Sequence, residues 1–279
     1  MPSHSTFDDD KSKEKMLQDW LDQNQYTRKG ILRYEKIFGR TYVSVGGETT
    51  TSDFVEMLDL KPGMKVLDIG CGTGGSAFYM ARNYGVDVHG IDLSTNMIGI
   101  AQDYREEMEP SVKHRVQFYI EDAMTMGYPD NFYDVIYSRD TILHITEKQK
   151  LFEKFLKCLK PGGKLMISDY CRGNVGSHSQ AFLDYVKSRD YDLHTVTQYG
   201  NILEKAGFTN VNAMNKTGLM IDIMKMELEK FSNIKKKFIE EFSEMDYLYI
   251  EKGWKDKVVR CNAGDQAWGL FTAKKDFSK

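Results

Sequence analysis

The run Val66-Leu67-Asp68-Ile69-Gly70-Cys71-Gly72-Thr73-Gly74-Gly75 constrains this chain more than any other stretch. An apolar run holding one carboxylate leads into a glycine loop, Gly70-x-Gly72-x-Gly74, and Ala77, Met80 and Ala81 then fall on one helical face. That order predicts a buried strand, a tight turn and a helix start. Glycines in such a turn let the backbone approach a ligand closely and take positive φ without steric penalty. A second short strand pattern, Val86 to Ile91, ends in Asp92. Its distance from the loop is about the 20 residues at which a doubly wound fold places the acid that holds a ribose diol.

The alternation continues. Strand patterns at 64–69, 86–91, 115–120, 133–138 and 164–169 are separated by helical patterns at 75–84, 95–108 and 147–159. Repeated βα units of this kind build a mostly parallel, Rossmann-like sheet with right-handed crossovers. Ahead of them, Leu17, Trp20, Leu21, Tyr26, Ile31, Leu32, Tyr34, Ile37 and Phe38 are spaced as two amphipathic helices within 13–38, meeting near Asn24-Gln25. Because these helices precede the first core strand, they must pack over the core or its mouth. A loop at Tyr42–Gly47 and a helix over about 51–60, ended by Lys61-Pro62-Gly63, follow. Lys160-Pro161-Gly162-Gly163 predicts a helix stop and a turn before the fifth strand.

Beyond Asp169 the pattern changes to two helices within 177–206, a strand at 209–214, a long amphipathic helix at 218–243, another at 246–260 and a last strand at 266–274. A helical insertion of this size predicts a cap over the strand ends, where open α/β sheets bind ligands. The expected division is a disordered leader at 1–12, N-terminal helices forming a lid at 13–60, a cofactor-binding core at 61–170, and a helical substrate cap with the last strands at 171–279, all in one catalytic domain.

Composition narrows the function classes. A net charge of −3 presents no basic field for nucleic acid. No apolar run approaches the roughly 20 residues that span a bilayer, and Met1–Lys15 lacks the apolar core of a signal peptide. Cys71, Cys158, Cys171 and Cys261 form no Cys-x-x-Cys pair, which suits a reduced, cytoplasmic chain. The six histidines show no ligand spacing, so no metal is expected.

Charge bears on the ligand. A dinucleotide loop presents backbone N–H groups to a pyrophosphate, and an acid beside it would repel phosphate. Asp68 just ahead of the loop instead attracts a cationic amino-acid moiety, which points to S-adenosyl-L-methionine. A dinucleotide oxidoreductase and a purely structural turn are the alternatives. Asp122 in Glu121-Asp122-Ala123 either accepts a hydrogen bond from an adenine amine, or caps a helix or stands as a solvated carboxylate. Asp140 and His144, just past the fourth strand, fall on one face if the turn after Arg139 opens a helix, and a carboxylate beside an imidazole can take a proton from an amine. Tyr170, Tyr185, Arg189, Tyr191 and Lys257 are phenols and cations suited to a phosphate monoester, with aromatic faces suited to an alkylated ammonium. Lys187 is read as solvated. A small substrate carrying both groups is a phosphorylated amino alcohol.

Several segments together resemble the phosphoethanolamine N-methyltransferases of nematodes, malaria parasites and plants. They are Asn24-Gln25-Tyr26, Tyr34-Glu35-x-Ile37-Phe38-Gly39, Tyr42-Val43-Ser44-x-Gly46-Gly47, Val66–Gly70, Tyr137-Ser138-Arg139-Asp140-x-Ile142-Leu143-His144 and Ser168-Asp169-Tyr170-Cys171. The resemblance extends through Tyr185–Tyr191 to Gly253-Trp254 and Trp268-Gly269, covering about residues 20–275. The glycine loop is generic to class I methyltransferases; the Asn-Gln-Tyr start with Ser-Arg-Asp-x-Ile-Leu-His is far more specific.

The resemblance implies a seven-stranded class I methyltransferase fold. It implies successive methyl transfers from S-adenosyl-L-methionine onto phosphoethanolamine and its mono- and dimethyl forms. The products would be phosphocholine, for phosphatidylcholine synthesis, and S-adenosyl-L-homocysteine. It implies that Tyr26 and His144 latch the N-terminal helix over the reactants, that Gln25 and Asp140 lie near the amine, and that Tyr170, Tyr185, Arg189, Tyr191 and Lys257 hold the phosphate. Tyr34, Val43, Ser44, Asp68, Gly70, Cys71, Asp92, Leu93, Asp122, Ala123 and Arg139 would line the cofactor pocket. A single methyltransferase domain fits the parasite type, which performs all three steps, and a monomer is expected. The alternatives are a methyltransferase acting on another small amine, carboxylate or hydroxyl, and a cofactor-binding domain that has lost its chemistry.

Overall fold

The buried apolar runs read from the sequence form a seven-stranded sheet in a computed structural model that describes residues 15–16 and 18–277. The strands are β1 (Lys65–Ile69), β2 (Asp87–Asp92), β3 (Val116–Ile120), β4 (Tyr133–Arg139), β5 (Leu159–Arg172), β6 (Thr209–Asn215) and β7 (Gln266–Lys274). Their spatial order is β3-β2-β1-β4-β5-β7-β6. β1 to β5 pair in parallel, and β7 runs antiparallel between β5 and β6. The mostly parallel sheet implied by the sequence is therefore present. The expected leader at 1–12 and Leu17 lie outside the described residues.

The central strands are buried on both faces, which is why they read as near-continuous apolar runs. Val66, Val88 and Val135 face one side. There they meet helices α2 (Gly47–Glu56), α3 (Gly75–Tyr84), α9 (Thr217–Asn233) and α11 (Glu244–Asn262). Leu67, Ile69 and Ile136 face the other, against α6 (Lys148–Cys158) and α8 (Val196–Lys205). The remaining helices are α1 (Arg28–Phe38), α4 (Thr95–Glu107), the short α5 (Pro110–Lys113), α7 (Gln180–Ser188) and α10 (Lys235–Glu241).

Three local expectations are corrected by tertiary contacts. Lys160–Gly163 does not precede the fifth strand but lies within it, as an irregularity: Tyr133 pairs with Leu159, then Val135 with Lys164. Gly162 takes φ +77 there and its N–H bonds the Lys275 carbonyl at 3.1 Å, so the turn residues are absorbed by bonding across to the chain after β7. The single helix expected at 218–243 is broken at Ile234 into α9 and α10. The break brings Phe231 and Phe238 both onto Tyr247, with ring centroids at 4.7 and 6.1 Å. The helix expected at 51–60 begins earlier, at Gly47, and ends at Glu56.

The N-terminal segment packs where its position predicted. Helical residues 18–20 run into a π-helical turn, Leu21–Gln25, and Thr27 then caps α1. Ile31 of α1 is buried against Met97 and Ile100 of α4. Arg33 and Lys29 both pair with Asp246 at the start of α11. The turn itself is held by α4: Asp22 accepts from Ser94 Oγ (2.5 Å) and Thr95 N (3.1 Å), and Asn96 Nδ2 donates to the carbonyls of Asp22 (3.2 Å) and Tyr26 (2.9 Å). A carboxylate at a helix N-terminus satisfies its free N–H groups and complements its dipole.

Candidate active site

A cavity of about 960 Å³ opens over the carboxyl ends of the parallel strands, roofed by the N-terminal segment and α11. Topology distributes its chemistry. Along the sheet the strand ends bring, in order, Asp122 (after β3), Asp92 (β2), Gly70 (after β1), Asp140 (after β4) and Tyr170 (β5). Neighbouring strands lie roughly 4.8 Å apart, so Asp92 and Tyr170 stand about 14 Å from each other. The order reverses between β1 and β4, the switch point at which such sheets bind ligands. All twenty residues singled out in the sequence border this one cavity.

On the β1–β3 side the glycine loop is tightly enclosed. A Cβ on Gly70, whose φ is +67, would fall 2.1 Å from Thr141 Oγ1, and one on Gly72 (φ +53) would fall 2.8 Å from Val43 Cγ2. Asp68 is 2% exposed and its Oδ2 has no hydrogen-bond partner. Burial pushes its carboxyl up to about 7, with the Arg139 charge opposing and Asp92 adding. Asp92 accepts from Gly72 N (3.0 Å) and Ser94 N (2.9 Å), yet burial still raises it to about 6. Asp122 Oδ1 accepts from Met124 N at 2.7 Å and closes a local turn beside the cavity; no helix starts there, so the helix-capping alternative is not met. Cys71, Leu93 and Ala123 complete this wall, with Tyr34, Val43 and Ser44 across from it.

Arg139 borders the cavity but spends its guanidinium on two backbone carbonyls and one hydroxyl. It donates to Val45 O (2.5 Å), Thr51 Oγ1 (2.8 Å) and Gly47 O (3.2 Å), which holds the loop carrying Val43 and Ser44. Glu227 anchors the same loop through Gly46 N (2.8 Å) and also accepts from Trp254 Nε1 (2.8 Å). Trp254 in turn packs on Tyr34 and Phe38, with centroids at 5.9 and 5.0 Å.

Asp140 and His144 do not share a helix face. Asp140 adopts φ +53, its N–H bonding Ser168 O at 2.8 Å, and only a single 3-10 turn, Ile142–His144, follows. The two side chains therefore have separate partners. Asp140 Oδ1 accepts from Trp268 Nε1 (2.8 Å) and Ser168 Oγ (3.4 Å), and its Oδ2 is buried and unpartnered. Burial raises this carboxyl, and Arg139 is the strongest influence pulling it back. His144 Nε2 lies 3.3 Å from Tyr26 Oη, which also accepts from Gln25 Nε2 at 3.1 Å. Burial lowers the imidazole to about 4, so it is neutral at pH 7. Burial likewise holds Tyr26 in its phenol form.

The β5 side is aromatic and cationic. Lys257 Nζ bonds Tyr170 Oη at 2.9 Å and lies over the Trp254 ring at 5.3 Å. Tyr191 packs edge-on against both His144 (5.0 Å) and Tyr185 (5.8 Å). Arg189, the C-cap of α7, bonds Tyr249 Oη at 3.3 Å. Lys187 is exposed and away from the cavity, as expected. Sequence reading missed Tyr249, Asp256, Arg260 and Glu227. The first three share a face of α11 with Lys252 and Gly253, at spacings of three and four, so a helical-face reading of 244–262 would have found them. Arg260 stacks over the Tyr185 ring at 3.8 Å.

An unpartnered buried carboxylate beside a side-chain-free cradle fits the cationic amino-acid end of S-adenosyl-L-methionine. The sheet order and this loop define a class I methyltransferase domain, and a family model described as "Methyltransferase domain" matches residues 60–213. The chain is 52% identical to phosphoethanolamine N-methyltransferase 1 of Zea mays over 93% of its own length and 51% of the relative's. It is 37% identical to the Plasmodium falciparum phosphoethanolamine N-methyltransferase, over 92% of this chain and 96% of the parasite protein. The structure of Haemonchus contortus phosphoethanolamine N-methyltransferase 2, solved with phosphomonomethylethanolamine and S-adenosylhomocysteine, superposes with a TM-score of 0.89 at 36% identity. It covers 93% of this chain and 60% of that one. The chain belongs to the phosphoethanolamine N-methyltransferase family. It spans about half the length of the plant relatives it matches.

Proposed function

We propose that this chain methylates the amine of phosphoethanolamine and of its mono- and dimethyl forms, giving phosphocholine, with S-adenosyl-L-methionine as the methyl donor. The carrying observation is one cavity that holds an unpartnered Asp68 oxygen at the glycine loop, an unpartnered Asp140 oxygen past β4, and a Lys257–Tyr170–Arg189–Tyr191 cluster beyond it. These match a cationic amino acid, an amine and a phosphate, in the order that methyl transfer requires.

When bound, S-adenosyl-L-methionine supplies an electrophilic methyl group and departs as S-adenosyl-L-homocysteine. Asp68 would hold its amino group, Asp92 its ribose hydroxyls and Asp122 its adenine amine. The chain's own residues do the rest. Lys257, Arg189 and the phenols of Tyr170, Tyr185 and Tyr191 fix the phosphate, so binding remote from the reacting atom orients the amine. Asp140 Oδ2 accepts the proton that the amine must lose, directly or through a water. Neutral His144 and Tyr26 close the N-terminal segment over the reactants and exclude water. In this division the N-terminal helices within 13–60 supply the lid, 61–170 the cofactor core, and 171–279 the helical substrate cap together with the last sheet strands. The functional unit in this reading is a monomer. Four buried, unpaired cysteines support a cytoplasmic setting.

Mass-resolved product analysis tests this with labelled S-adenosyl-L-methionine and each of the three substrates in separate reactions. Product from all three supports the full sequence of steps. Product from a subset assigns the chain to those steps, and no methylation of any overturns the substrate.

A further inference from the structure

We propose that Trp268 is a positioning residue for the reaction, its indole N–H holding the Asp140 carboxylate so that Oδ2 is left free for the substrate amine. This rests on the reading of Asp140 as the group that receives the amine's proton.

Trp268 lies on β7, paired in register with Tyr170 of β5, and is fully buried. Its backbone is fixed on both sides: its N–H bonds Thr217 Oγ1 at 3.0 Å, and its carbonyl accepts from Lys216 N at 2.7 Å. Its ring packs on Phe54 with centroids 5.5 Å apart. The indole therefore has little freedom, and its Nε1 stands 2.8 Å from Asp140 Oδ1. Ser168 Oγ approaches the same oxygen at 3.4 Å. Both side-chain donors thus converge on Oδ1, the Val45 backbone N–H also favours the ionised carboxylate, and Oδ2 is buried without a hydrogen-bond partner. A buried carboxylate oxygen without a donor is unfavourable, and it is tolerated where a ligand supplies the donor.

The choice of tryptophan has a chemical consequence. An indole N–H only donates, carries no charge and cannot take up the proton. It favours the ionised carboxylate without competing for what Oδ2 is to receive. The charged and titratable groups around Asp140 are Arg139 beside it, Lys257 from α11, and Asp169, Tyr170 and Cys171 on β5. Arg139 and Lys257 also favour the ionised form, against burial. Trp268 is the nearer of the two neutral side-chain donors to Oδ1, and it sets direction as well as charge state. The 128 residues between the partners hide the pair from any local reading.

The test is W268F, which keeps an aromatic ring and removes the donor, assayed for kcat across pH with saturating phosphoethanolamine. A lost hydrogen bond to a charged group predicts a fall in kcat of about tenfold or more. Cofactor affinity by calorimetry should be unchanged, and the acid limb should move to higher pH because the ionised carboxylate has lost a donor. Wild-type kcat with an unmoved limb overturns the proposal. F54L loosens the packing on the indole but keeps its N–H. It should lower Tm and leave the limb in place, and a limb that moves as in W268F assigns the effect to packing and also overturns the proposal. Should W268F not fold, the wild type decides. The chain has three tryptophans, so the Trp268 indole proton can be assigned by NMR with W20F and W254F. That resonance should titrate with the kcat limb, and a flat resonance refutes the contact. D140N separates the two levels. Full turnover in D140N removes the underlying reading, whereas an inactive D140N beside an unaltered W268F removes only the role of Trp268.

Discussion

Cofactor binding should be coupled to proton release at Asp68. In the free protein this buried carboxyl sits near 7 because burial disfavours its charge and its Oδ2 has no donor. The incoming ammonium pairs only with the ionised form. Binding therefore expels a proton wherever Asp68 is protonated beforehand, and its contribution to affinity must rise with pH up to about 7. With that midpoint, affinity at pH 6 is about tenfold below its plateau, and at pH 5.5 about thirtyfold. Asp92, raised to about 6, steepens the loss further down. On the alkaline side the ligand's own α-amino group titrates near 8, so the maximum falls between the two. Calorimetry with S-adenosyl-L-homocysteine, in pairs of buffers of different ionisation enthalpy, counts the protons directly. At pH 6 about 0.9 should leave from Asp68, joined by about 0.5 from Asp92, whereas at pH 8 the half-neutral ligand amine turns the balance to a net uptake of about 0.4. In Asp68→Asn the limb centred near pH 7 should disappear, leaving only the weaker Asp92 limb near 6, and affinity should fall about thirtyfold, the equivalent of ~2 kcal/mol for a hydrogen bond to a charge. A constant affinity from pH 5.5 to 7.5 without proton release would refute the reasoning. A full acid limb persisting in Asp68→Asn would move the linkage to Asp92.

Two further outcomes are expected. Arg189→Ala removes a guanidinium from the phosphate end and should raise KM for phosphoethanolamine by roughly tenfold to a hundredfold, with cofactor affinity within twofold of wild type; equal losses of both by calorimetry would dissolve the clamp. Asp22→Ala removes the carboxylate that caps α4 from the N-terminal segment and should destabilise by about 1 kcal/mol, with faster hydrogen exchange confined to residues 18–27; unchanged exchange there would show that this contact does not hold the segment.

Much of the fold was legible because its signals are local. Strand burial on both faces makes apolar runs such as Val66–Ile69 and Val135–Tyr137 visible, and positive φ at Gly70, Gly72 and Gly74 needs the glycines that mark the loop. The acids at strand ends could also be placed from sequence, since parallel strands all deliver their carboxyl ends to one edge of the sheet. Less legible was anything that depends on where a chain segment is received. Lys160–Gly163 has every local mark of a turn, but bonding to the chain after β7 draws it into the strand. Helix propensity continues across Ile234, but packing of Phe231 and Phe238 on one tyrosine breaks it.

The sequence by itself determined the strand–loop–helix cofactor motif and the alternating sheet, because each is written in spacing of a few residues; most of the other residues that meet in the cavity were named through the family resemblance rather than through spacing. Tertiary structure alone decided how those residues are used. Asp140 turns away from a helix and is met by an indole from β7, and Arg139 faces the cavity yet bonds backbone. Glu227, one charge among many on a long helix, ties the Val45–Gly47 loop to Trp254. A side chain's partners and charge state are set by what packs around it, and in a sheet of this order those neighbours come from strands and helices far apart along the chain.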